Sequence, residues 1–129
     1  MHYTEIERRL GPPRLAILPI GAYKPEWFMG PIHMSPAEAV QAHRDLKAGV
    51  SVGMHFGTFD LADDGETEAP DELRRIVAAS SEPMNPFWIL DFGEGREVPP
   101  LGTSSNVGVV SPPTPNELRG IGQHDRLAR

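Results

Sequence analysis

Leu18-Pro-Ile-Gly-Ala-Tyr-Lys-Pro-Glu-Trp-Phe-Met29 and Met54-His-Phe-Gly-Thr-Phe59, joined by a segment that opens at Ser35-Pro36, decide how this chain folds. Each stretch reads as the end of a buried strand running into a glycine-marked turn, and the turns present His33 and His55. Leu15-Ala-Ile-Leu-Pro-Ile20 is apolar on both faces, as a strand covered on both sides would be. Pro19 belongs at that strand's end, since it cannot donate to a ladder. Between the strands, Ser35, Pro36 and Glu38 spell a capping box with proline at the first helical position. They predict a helix over 36–48, with Gly49 as its stop. Its inner stripe is Ala39, Val40, Ala42, His43 and Leu46.

Outward from this centre, Thr4–Leu10 reads as a short amphipathic helix with Ile6 and Leu10 on one face. Val50–His55 reads as the second strand, Asp71–Ala79 as a helix with Leu73, Ile76 and Val77 inward, and Phe87–Leu90 as the last strand. Strands alternating with helices of this length predict an α/β layer with parallel crossovers. All nine aromatic residues lie between Tyr3 and Phe92. Residues 98–129, rich in Pro, Gly, Ser and Thr, cannot bury enough apolar surface to offset their ordering entropy and read as a flexible tail, with a brief helical turn near 116–119. The expected division is a domain over 1–97 and a tail over 98–129.

At 129 residues the chain is expected to hold one small domain at most. A net charge of −6 argues against a nucleic-acid partner, whose phosphates need a basic surface. The absence of cysteine excludes disulfides and thiolate metal sites. No apolar run is long enough to span a bilayer, and the acidic start is not expected to act as a secretory signal. These features predict a cytoplasmic protein with no transmembrane segment.

In order along the chain, Pro-Ile-Gly-Ala-Tyr, the capped helix and Met-His-Phe-Gly-Thr-Phe resemble the zinc-dependent hydrolases of the metallo-β-lactamase fold. They are most similar to the N-acylphosphatidylethanolamine phospholipase D type. The resemblance covers about residues 3–95 and matches the C-terminal part of that family's αββα four-layer sandwich. It implies a phosphodiesterase acting on a phospholipid-like substrate through two zinc ions. Such ions would lower the pKa of a bridging water, polarise the phosphoryl group and clamp the attack.

Carried over residue by residue, the resemblance makes His55 the final metal ligand. It puts His33 on the substrate side, within reach of a phosphate oxygen and next to a helix N-terminus that favours anions. Tyr23, Trp27 and Phe28, with Met29, become an apolar wall for an acyl chain. Read as residues alone, the same groups are a neutral histidine at a strand end, a turn histidine and loop packing. His43, on the helix's apolar stripe, reads as a satisfied structural histidine. Asp60, Asp63 and Asp64 read as a solvated loop, with an outer role beside the metal open only to Asp60.

A catalytic zinc site takes about three protein ligands and an open water position. The chain has no His-x-His and no His-x-Asp-His, and on the resemblance the bridging Asp falls before Met1. The expected reading is thus a truncated hydrolase, inactive alone because most ligands are missing. The alternative is a degenerate, non-catalytic remnant or an interaction module, binding a partner through an uncovered sheet face. Leu15, Ile17, Leu18, Val50, Val52, Ile89 and Leu90 are the apolar strand positions expected to lack cover, which would promote self-association.

Overall fold

In the computed structural model, residues 2–102 are described. The remainder of the proposed tail, with the turn expected near 116–119, lies outside them. Seven elements follow in order: α1 (Tyr3–Leu10), β1 (Leu15–Pro19), α2 (Glu26–Met29), α3 (Pro36–Leu46), β2 (Val50–Met54), α4 (Glu68–Ala79) and β3 (Phe87–Trp88). The sheet is parallel throughout, in the order β1-β2-β3. Leu15 pairs with Val50, Ile17 with Val52, and Val52 with Trp88. Two successive crossovers of one hand place α3 and α4 on the same side. This is the α/β arrangement with a parallel sheet that the sequence predicts.

Ala16, Leu18 and Ile20 of the first strand region, with Phe87 and Ile89, meet Ala39, Val40 and Leu46 of α3 and Leu73 and Val77 of α4 in one core. His43 belongs to the same layer. It is 2% exposed, and its Nδ1 lies 2.7 Å from Ser51 Oγ, with the Phe87 ring beside it. Desolvation dominates its titration and pushes the imidazole down to about 4; a backbone hydrogen bond at Asn85 opposes this, and Arg44 adds to it. It is a neutral structural histidine.

The capping box forms as spelled. Ser35 Oγ accepts from the Glu38 N–H, and the Glu38 carboxylate accepts from the Ser35 N–H and hydroxyl. The far end of this helix differs from expectation. It stops at Leu46, and Lys47 takes the left-handed conformation (φ 50°) that closes it. Gly49 is needed for a different reason: a Cβ there would lie 2.9 Å from Leu101 Cδ2 and 3.1 Å from the Arg14 carbonyl oxygen. The fourth helix starts three residues earlier than expected, at Glu68, because Pro70 falls in the first turn, where no intrahelical donor is required.

The uncovered face is smaller than expected. Alternation puts Leu18 and Ile89 on the helix side, and Val50 is fully buried. On the other side the Arg96 guanidinium lies 5.5 Å from the Trp88 ring centre, and Val98 O accepts from Arg14 Nη2. Arg96, Val98 and Leu101 therefore lie close to the sheet, and the last two belong to the stretch expected to be tail. Ile17 (59% exposed), Met54 (46%) and Leu15 remain open.

Candidate functional site

Ligand sites of parallel α/β sheets lie outside the carboxyl ends of the strands. The two histidines singled out by sequence meet there. His33 and His55 stack with ring centres 5.2 Å apart and an interplanar angle of 23°. Among the described residues neither imidazole makes a hydrogen bond, in contrast to His43. That difference separates a histidine committed to structure from two whose ring nitrogens remain available.

Local geometry explains the pairing. His33 lies four residues beyond α2, a short helix where the sequence alone reads as loop, and is tied to that helix's end by its N–H, which donates to Met29 O at 2.8 Å. His55 follows the end of β2 in the left-handed region, with φ 66°. Such a φ is uncommon outside glycine and is held here by its neighbours. Ile20 donates to Met54 O, and the chain at Gly21 passes so close that a Cβ there would stand 2.1 Å from His55 O. Glycine is thus required in Pro-Ile-Gly-Ala-Tyr for backbone approach.

The surroundings depart from expectation in three places. The helix N-terminus beside His33 is already occupied by a negative group, since Glu38 caps it, so it offers an anion less than expected. Tyr23 is buried in the core (5% exposed) and also borders a small pocket with His33, Glu26 and Glu38, whereas Trp27 (83%) and Phe28 (61%) project outward with ring centres 5.6 Å apart. Burial chiefly, reinforced by Glu68, Asp64 and Glu72 and opposed by Lys24, pushes the Tyr23 hydroxyl up and keeps it neutral. Asp64, read as solvated, is 5% exposed and accepts from the Ala22 N–H at 2.9 Å. No periodicity marks it within its acidic run, and only the fold distinguishes it from Asp60 and Asp63.

Two cavities adjoin His55. One of about 250 Å³ is bounded by Ala22, His55, Phe56, Leu61 and Asp64. The other, of about 460 Å³, is bounded by Met54, His55, Pro70, Arg74, Ile89 and Phe92. Two side-by-side imidazoles, one of them bordering these cavities, can hydrogen-bond an anionic oxygen or contribute to a metal. Among the described residues no three His, Cys, Asp or Glu come together to hold a metal ion. These residues do not by themselves fit a catalytic metal centre. Nor, among them, is any helix long and apolar enough to cross a membrane.

A family model described as a β-lactamase superfamily domain matches residues 1–56. The N-acyl-phosphatidylethanolamine-hydrolyzing phospholipase D 1 of Caenorhabditis elegans is 36% identical over 99 residues, which are 73% of this chain and 27% of that protein. The mitochondrial enzyme of the same description from Saccharomyces cerevisiae is 36% identical over 76 residues, covering 58% of this chain and 16% of its own length. An uncharacterised protein of Mycobacterium bovis is 42% identical over 103 residues, covering 78% and 26%. The chain thus spans about a quarter or less of the length of these relatives. Hydrolases of this superfamily generally use metal ions. The chain belongs to the metallo-β-lactamase-fold superfamily, and within it is similar to part of the N-acyl-phosphatidylethanolamine-hydrolyzing phospholipases D.

Proposed function

We propose that the chain carries part of the site of a zinc-dependent phosphodiester hydrolase of the N-acylphosphatidylethanolamine phospholipase D type, and is inactive alone. His55 serves as one metal ligand and His33 faces the phosphodiester. Trp27 and Phe28 supply apolar contact for a lipid substrate, and Tyr23 backs them from the core. The observation that carries this reading is the stack of His33 on His55 at the strands' carboxyl ends, with neither ring engaged in a structural hydrogen bond. Because the described residues do not assemble a metal centre, no catalytic step is assigned to them. The test is hydrolysis by the purified chain of N-acylphosphatidylethanolamine dispersed in detergent with added zinc. The expected result is no turnover above the blank. Turnover abolished by His55→Ala would overturn the inactivity.

A second reading, an interaction module, draws on the open positions Leu15, Ile17 and Met54. Their side of the sheet would pair with another apolar surface, including a second copy of the chain. Light scattering separates the possibilities: a dimer or larger species supports self-association, and a monomer removes it.

A further inference from the structure

We infer that Asp64 is a positioning residue for the His33–His55 pair, acting through the turn on which His55 rests. Three links carry the inference. The Asp64 carboxylate is buried, and its Oδ2 accepts the backbone N–H of Ala22 at 2.9 Å. Ala22 is itself in the left-handed region (φ 59°), a conformation a non-glycine residue keeps only when its surroundings over-determine it. Its neighbour Gly21 is the residue whose backbone packs against the His55 carbonyl. The carboxylate thus holds the strained turn, and the turn sets where His55 sits.

The attachment is continued along the same segment. The Asp63 N–H donates to Lys24 O at 3.3 Å, and the Lys24 ammonium pairs with the Glu68 carboxylate at the start of α4. Segment 63–68 is therefore fastened to turn 21–24 at three successive points. Only the Asp64 bond is buried, and a buried, charge-assisted bond is the strongest of the three. Asp64 also borders the same cavity as His55, so its loss would open that cavity as well as loosen the turn.

The inference rests on His33 and His55 being the site. Its experiment reads ring geometry rather than hydrolysis, so the positioning role and the proposed activity can fail separately. In the full chain with labelled histidines, Asp64→Ala should shift the ring resonances of both His33 and His55. Asp64→Asn, which keeps an acceptor oxygen, should restore most of the original positions. Val77→Ala, a core variant remote in sequence from the turn, should leave both rings in place. In the unsubstituted chain the Ala22 amide should exchange at least about tenfold more slowly than an open loop amide, a measurement that needs no variant to fold. Unmoved rings in Asp64→Ala, equal movement in Val77→Ala, or a fast-exchanging Ala22 amide would each overturn the role.

Discussion

The two faces of the same three-stranded sheet have opposite fates. Against the helices, Leu18, Ile20, Phe87 and Ile89 pack with Val40, Leu46 and Leu73 into a core that leaves almost nothing exposed. Across the sheet, Trp88 lies under Arg96 while Ile17 and Met54 stand open. One residue's difference in strand position decides which fate a side chain meets, because successive residues point to opposite faces. The chain has finished one hydrophobic layer and begun another. Its histidine pair stacks at the end of the same strands.

The largest effect should come from breaking the closed face. Phe87→Ala, at a fully buried position, should lower unfolding free energy by about 3–5 kcal/mol in urea titration, whereas Ile17→Ala should cost under about 1 kcal/mol. Equal losses would mean that something covers Ile17 as completely as the helices cover Phe87.

Acid tests the same layer through His43. Its native form resists protonation until about pH 4, while the unfolded chain takes the proton near 6.5. Between these values the unfolded state binds more protons. Stability should therefore fall as pH drops from about 6.5 to about 4, by up to about 3 kcal/mol, and level off below. His43→Leu should flatten that slope; an unchanged slope would remove the assignment.

A smaller effect is expected at the helix end next to the histidine pair. Ser35→Ala removes the acceptor for the Glu38 N–H and the hydroxyl that bonds its carboxylate, and should cost about 1 kcal/mol. Thermal melts of the two chains check it, and no shift would mean that Glu38 alone secures this end.

Much of the layer was legible in local patterns. Capping chemistry and apolar spacing located α3, and strand–helix alternation gave the parallel order. What the sequence hid depends on residues distant in the chain. Lys47 rather than Gly49 closes α3, since Gly49 answers to Arg14 and Leu101. Val98 reads as the first residue of the tail, and its carbonyl accepts from Arg14, next to the Arg96–Trp88 contact. The two histidines were identifiable from their turns and their resemblance, but their stacking was not. It depends on α2, whose four residues carry no periodic signal, and on Gly21 beneath His55. Asp64 looked like its acidic neighbours because burial is a property of the folded loop.

Under the proposed function, His33 and His55 belong to a metal site that the described residues do not complete. The most direct test of this reading is zinc content, measured by atomic emission after dialysis of the purified chain, together with a zinc titration followed at the histidine rings. Two imidazoles without further ligands hold zinc weakly. Well under one zinc should be retained per chain, added zinc should perturb His33 and His55 before His43, and His55→Ala should abolish that response. One tightly held, chelator-resistant zinc per chain, or a response that ignores both histidines, would contradict it.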